Sequence, residues 1–177
     1  MKILKNINND LNAAKRFSLA NKFSIFFFNR GFHALFVYRI SNKLYKLKIA
    51  ILSMIFTRII QVIYSIDIDY KSNLEGGIVI VHGVGLVVGS GVQIGTNVIL
   101  FHGVTLGRRG VGPVISKSDG FPKIEKNCII CTGAVLIGNI TIGQNTTIGA
   151  NCVIADNIPP NSTCKLTVNH FNIHNKN

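Results

Sequence analysis

From Val88 onward an aliphatic side chain returns at every sixth position: Val88, Ile94, Leu100 and Leu106. The series resumes in the same frame at Ile124, Ile130, Leu136, Ile142, Ile148 and Ile154. Glycine follows several of these residues, as in Val88-Gly89, Ile94-Gly95, Leu106-Gly107 and Ile142-Gly143. A second series lies four residues later and is small or apolar: Val92, Val98, Val104, Cys128, Ala134, Ile140, Thr146 and Cys152. A helix repeats about every 3.6 residues and a strand about every 2, so a sustained period of six fits neither alone. It fits a solenoid of short strands with one inward aliphatic per side, in which each coil buries its inner face only against its neighbours. The frame breaks between Leu106 and Ile124, where Arg108, Arg109, Gly110, Pro113 and Gly120 gather. That stretch, 107–122, reads as an extended loop leaving the coil.

A chain of 177 residues accommodates one such domain with an appendage. The expected fold is mainly β, a parallel β-helix over 67–163, preceded by an α-helical region over 1–66 and followed by a tail over 164–177. Charge separates these parts. Residues 1–66 hold 11 Lys and Arg against the single acid Asp10, whereas 67–177 hold 8 against 6. Residues 13–65 contain no proline and only Gly31 as a breaker, which predicts two or three helices near 11–28, 31–45 and 48–65. Lys48 and Arg58 interrupt the most apolar stretch, so a membrane-crossing helix is not expected. Two roles remain open for the helices. They pack on the coil or on another subunit, or they form an amphipathic anchor at an anionic membrane surface. No nucleic-acid reader motif is present, and nucleic acid is not expected as a partner. Met1–Asn12 lacks the apolar core of a secretory signal, which points to a cytoplasmic protein, with the inner face of the membrane as the anchored alternative. Cys128-x-x-Cys131 invites a zinc or redox reading, but Cys128 and Cys152 fall in the small-residue frame of the repeat. Buried reduced thiols, and no metal, are the expectation.

His82 falls six residues before Val88, where the frame calls for an aliphatic, and Gly83 and Gly85 flank it. An imidazole there can accept a proton from a hydroxyl. Asp67 precedes it by nearly one coil of a three-sided solenoid and is a candidate to orient it; capping of the helix-to-coil junction is the competing role. Asp69 is a weaker candidate. His102 lines the same cleft or serves as a corner residue. Arg108 and Arg109 open the loop and Lys123 follows it, placed either to meet phosphates or to be solvated.

Taken together, these stretches resemble the catalytic region of serine acetyltransferases and their close relatives. The matching segments are Ile66-Asp67-Ile68-Asp69, Val81 to Gly89, Gly103-Val104-Thr105-Leu106-Gly107, Phe121-Pro122-Lys123-Ile124 and Ile137 to Gly143. The resemblance implies a left-handed β-helix with three hexads per coil, usually assembled as homotrimers that can pair further through the N-terminal helices. It implies acetyl-CoA in a groove between coils, with Thr132 and Ala150 on the wall of that groove. It assigns His82 as general base and Asp67 as its partner.

The chain also departs from the family pattern. Val81 stands where serine acetyltransferases carry an Asp, and Gly120-Phe121 where they carry Arg-His. Those groups grip the amino acid in the family. The final residue is Asn177 rather than the Ile that docks such enzymes into cysteine synthase, so no such complex is expected. The Phe101–Gly110 stretch is similar to relatives that acetylate surface polysaccharides of the colanic-acid type. The resulting expectation is an acetyl-CoA-dependent O-acetyltransferase with a saccharide acceptor stacked on Phe121 near Val81 and His102. Serine O-acetylation through a rewired acceptor site is the alternative. A catalytically silent oligomeric scaffold is a third reading, opposed by the presence of both Asp67 and His82.

Overall fold

The computed structural model describes residues 2–110 and 119–166. Four helices come first: α1 (Lys2–Ser18), α2 (Lys22–Phe28), α3 (Arg30–Lys46) and α4 (Ala50–Tyr64). This is one more than expected. The polar stretch before Asn12 lies inside α1 and turns Asn6, Asp10, Ala13 and Ala14 inward. The expected helix over 11–28 is broken after Ser18, and Asn21 caps α2 by accepting from the Ser24 amide at 2.7 Å.

The solenoid follows. Its first coil is β1 (Asp67–Ile68), β2 (Asn73–Leu74) and β3 (Val79–Val81); its second is β4 (Val87–Val88), β5 (Gln93–Ile94) and β6 (Ile99–Phe101). The third coil is β7 (Thr105–Gly107), β8 (Lys123–Ile124) and β9 (Ile129–Ile130); the fourth is β10 (Val135–Ile137), β11 (Thr141–Ile142) and β12 (Thr147–Ile148). β13 (Val153–Ile154) and β14 (Thr163–Cys164) begin a further turn, so the final coil reaches one residue past the expected boundary. The strands stack in parallel into three faces, β1-β4-β7-β10-β13, β2-β5-β8-β11 and β3-β6-β9-β12-β14.

The register explains the period of six. Val88 pairs with Leu106 and Leu106 with Leu136; Ile94 pairs with Ile124 and Ile124 with Ile142; Leu100 pairs with Ile130 and Ile130 with Ile148. All of these side chains are buried, as is the second series from Val92 to Cys152. Each inward Leu or Ile contributes about 1.5–3 kcal/mol of burial. The frame survives the break at 108–122 because Ile94 meets Ile124 across it.

Two of the three edges turn through the left-handed region. At the edge between the second and third faces Asn97, Asn127, Asn145 and Asn161 supply it, with φ of 58°, 60°, 59° and 59°. Asn is the side-chain-bearing residue that visits this region most readily. Their amides form a ladder: Asn127 Nδ2 donates to Asn145 Oδ1 at 3.1 Å, and Asn145 Nδ2 donates to Asn161 Oδ1 at 2.9 Å.

The helices close the first coil. Gly31 lets α3 lie on β3; a Cβ there would sit 2.3 Å from the Ile80 carbonyl oxygen. Tyr38 Oη donates to the Ser72 carbonyl at 2.7 Å and accepts from the Leu74 amide at 3.1 Å. Asp10 and Arg39 form a buried pair at 3.1 Å, with 1% and 5% of their side chains exposed. Asp10 Oδ1 also accepts from the Gly77 and Ile78 amides at 2.8 and 3.0 Å, while Arg39 donates to the Leu74 and Glu75 carbonyls. Burial pushes the Asp10 carboxyl above its usual range, and Arg39 and the two amides pull it back.

Replacing Arg39 with Leu leaves a buried carboxylate without its cation, and we expect a loss of about 3–5 kcal/mol in urea unfolding near neutral pH. The raised Asp10 value fixes the sign of the pH dependence. Below it the carboxyl of the variant is neutral, so the gap between variant and native chain narrows as pH falls. A gap that stays constant or widens toward acid would contradict an uncompensated Asp10 charge.

Candidate active site

The edge between the third and first faces differs from the asparagine edge. It is made of His82–Leu86, His102–Val104, Cys131–Ala134 and Gly149–Cys152, one corner per coil. Gly85, Gly103 and Gly133 lie there with φ of 74°, 68° and 69°. A Cβ on Gly85 would come 3.6 Å from the Gly103 Cα, and one on Gly103 would come 3.5 Å from the Gly133 Cα. The first three corners therefore stack through bare backbone, and the fourth turns at Asn151, with φ 58°, whose Oδ1 lies 2.2 Å from where a Cβ on Gly133 would sit. The Gly103 amide donates to the Val84 carbonyl at 2.9 Å, Gly133 to His102 at 3.1 Å and Asn151 to Thr132 at 2.9 Å. The result is a glycine strip over three coils along one edge of the prism, ended by Asn151 and flanked by His82, His102, Thr132 and Ala150.

His82 is not inward. The corner after β3 is two residues longer than a hexad allows, Ile80 takes the buried position opposite Leu100, and His82 stands exposed with φ 62°. Its ring meets His102 edge-on, with centroids 5.8 Å apart and planes at 69°. His102 Nδ1 is buried and has no hydrogen-bond partner among the described residues. Val81 ends β3 opposite Phe101, next to this pair.

Asp67 opens β1, and its register partner Val87 follows the His82 corner. Among the described residues it makes no hydrogen bond or ion pair to His82. Its Oδ2 accepts from Gln61 Nε2 at 3.1 Å, and Arg58 donates to the Gln61 side chain in turn. The last turns of α4 thus hold this carboxylate. Arg58 and Gln61, three residues apart on a largely apolar helix, are the sequence signal for this contact. Asp69 instead closes a local turn, accepting from the Lys71 amide at 2.7 Å.

The remaining candidates lie elsewhere in the chain. Arg108 and Arg109 follow β7 at the opposite edge of the first face, and Lys123 faces outward on the second. Phe121 covers that opposite edge. A Cβ on Gly91 would lie 2.2 Å from its ring and one on Gly89 2.8 Å, so the ring packs onto these two glycines and the core behind them. The cysteines are free thiols, and burial raises Cys128, Cys131 and Cys164 above their ordinary values, which disfavours a thiolate nucleophile. Among the described residues no group of three His, Cys, Asp or Glu is placed to hold a metal ion, and no helix is long and apolar enough to cross a membrane.

Comparison with known proteins gives this geometry a family. The bacterial transferase hexapeptide model, of six repeats, matches residues 121–156. A serine acetyltransferase of Helicobacter pylori is 32% identical over 143 residues, covering 81% of this chain and 81% of the relative. The chain belongs to the serine acetyltransferase family. Another member, from Buchnera aphidicola, is 40% identical over 131 residues, which is 74% of this chain and 49% of that protein. The chain thus spans about half the length of some relatives it matches. The crystal structure of the Neisseria gonorrhoeae serine acetyltransferase in complex with serine aligns with TM-score 0.83 and 31% identity, covering 91% of this chain and 65% of that one. A serine acetyltransferase complex with CoA aligns with TM-score 0.83 and 29% identity, covering 92% and 66%. These relatives overturn the expected saccharide acceptor and the expected closeness to surface-polysaccharide enzymes. The proposed stacking of a sugar on Phe121 falls with them, since that ring is committed to Gly89 and Gly91.

The bare strip makes its own prediction. Gly103→Ala meets only ordinary contacts but must hold a left-handed φ, so equilibrium unfolding should show a loss of about 1–2 kcal/mol. A neutral substitution would mean that the corner relaxes out of the conformation described.

Proposed function

We propose that the chain transfers an acetyl group from acetyl-CoA to the hydroxyl of serine, with His82 as general base. The observation that carries this reading is the glycine-lined edge, which gathers His82, His102 and Thr132 into one column in a member of the serine acetyltransferase family. A strip lined by glycine over three coils fits an extended pantetheine arm, because backbone groups can approach it closely. Thr132 and Ala150 would flank that arm. Acetyl-CoA supplies the activated acyl group as co-substrate.

The protein's part is proton management and placement. An exposed imidazole can reach an acceptor hydroxyl and take its proton as the oxygen becomes nucleophilic. The edge of His102 against His82 limits the orientations of the ring. Asp67, held by Gln61 on the adjoining face, is the carboxylate available to orient the base. Backbone amides along the strip are suited to an oxyanion.

Serine binding has fewer charges to draw on than the family pattern provides. Val81 replaces an Asp, and Gly120-Phe121 replace Arg-His; Gly120 is packed against Asn139, where a Cβ would lie 2.7 Å away. Serine should therefore be used with a high KM.

Three substitutions test this reading in a thiol-release assay with acetyl-CoA and L-serine. His82→Asn suits the left-handed corner and removes the base, so turnover should fall about 10²–10⁴-fold with stability preserved. Asp67→Asn should cost less than His82→Asn. Val81→Asp should lower the KM for serine about tenfold or more, the worth of one charge-assisted hydrogen bond. Absence of L-serine turnover in the native chain would sink the acceptor assignment, and full activity in the His82 variant would sink the base.

A further inference from the structure

The helical region carries an apolar surface that the chain does not cover. Between Lys15 and Arg30, Phe17, Leu19, Phe23, Phe26, Phe27 and Phe28 are exposed, Leu19 by 91%, Phe28 by 79% and Phe23 by 70%. Only Ile25 of α2 turns fully inward, onto Ala14 and Phe32. Phe26, Phe27 and Phe28 are consecutive, and at about 3.6 residues per turn consecutive side chains leave a helix in different directions. Phe23 and Phe27 stack with centroids 4.7 Å apart and Phe26 leans on Phe32 and Phe36, while Leu19 and Phe28 project furthest from the chain.

The charges interleaved with these rings are all of one sign. Lys15, Arg16, Lys22 and Arg30 are exposed among them. Asp10 is the sole acid in residues 1–66, and it is buried against Arg39. The helical region therefore presents no exposed carboxylate. A second copy docked on the same face would set cations against cations with no countercharge. An anionic surface satisfies both features at once: the rings enter the acyl boundary and the cations meet the headgroups.

We propose that the α1–α2 junction, from Lys15 to Arg30, docks on the surface of a bilayer containing anionic phospholipid. The contact is peripheral, and it does not depend on the identity of the acetyl acceptor.

Co-sedimentation of the full chain with vesicles tests the proposal. The native protein should bind vesicles of phosphatidylcholine mixed with phosphatidylglycerol, bind phosphatidylcholine alone at least about tenfold less, and be released by salt, which screens such attraction. The triple variant Phe23→Ser, Phe27→Ser, Phe28→Ser and the triple variant Lys15→Gln, Arg16→Gln, Lys22→Gln should each lose about tenfold in partitioning while keeping the native melting transition, because every altered side chain is exposed. Lack of binding by the native chain overturns the proposal, as does equal binding with or without phosphatidylglycerol or retention of binding by the phenylalanine variant. Sedimentation velocity covers the competing occupant. A native self-association that the phenylalanine variant abolishes, without any vesicle binding, would assign this face to a second copy.

Discussion

A solenoid with three faces must turn its backbone sharply after every two or three extended residues. At two of the three edges that turn is made by residues of left-handed φ, and the identity of those residues divides the molecule. One edge uses asparagine, whose amides join coil to coil and close the edge with polar side chains. Another uses glycine, and the absence of Cβ atoms leaves open backbone there. The same steric demand thus produces a sealed structural seam and an accessible strip, and the imidazoles of His82 and His102 lie on the strip. The choice between asparagine and glycine at equivalent corners separates a stabilising edge from a reactive one.

The helices are fastened to this coil through polar groups as well as apolar contact. Tyr38, Asp10 and Arg39 take up backbone amides and carbonyls of Ser72–Ile78 that would otherwise be buried at the solenoid's first turn without partners. Burying a charge pair is expensive, and this one is compensated by the hydrogen bonds that surround it. The last turns of α4 extend the same fastening to Asp67 through Gln61. The helical region is thereby connected to the position of a candidate catalytic carboxylate.

The period of six was enough to anticipate the three stacked faces and nearly all of their buried side chains, because burial in a solenoid is dictated by register alone. It misled at His82. The count from Val88 assumed a hexad where the corner holds two extra residues, and the histidine faces solvent rather than the core. Asparagine and glycine corners were legible as small or polar punctuation, but the ladder from Asn97 to Asn161 depends on residues far apart in sequence. Gln61 stands out as a polar residue on a largely apolar helix, but its partner Asp67 lies beyond the helix end, where helical periodicity no longer pairs residues. Val81 and Gly120-Phe121 do not identify the acceptor, because they record only what is lost from a site. Phe121 proved to be packing against glycines, a role that an isolated apolar residue in a loop does not announce.

The two-residue extension at His82–Leu86 and the far longer excursion after Gly107 both occur at corners, and the pairing of Ile80 with Leu100 and of Ile94 with Ile124 is undisturbed by them. This fold therefore measures its length in faces rather than in residues. Insertions and deletions at a corner change what projects from the prism while every inward side chain keeps its neighbour. A single-residue slip inside a strand would reverse inside and outside for that strand and expose an aliphatic in every coil it meets. New loops, and the new specificities they bring, can enter such a chain at its edges without renegotiating its core.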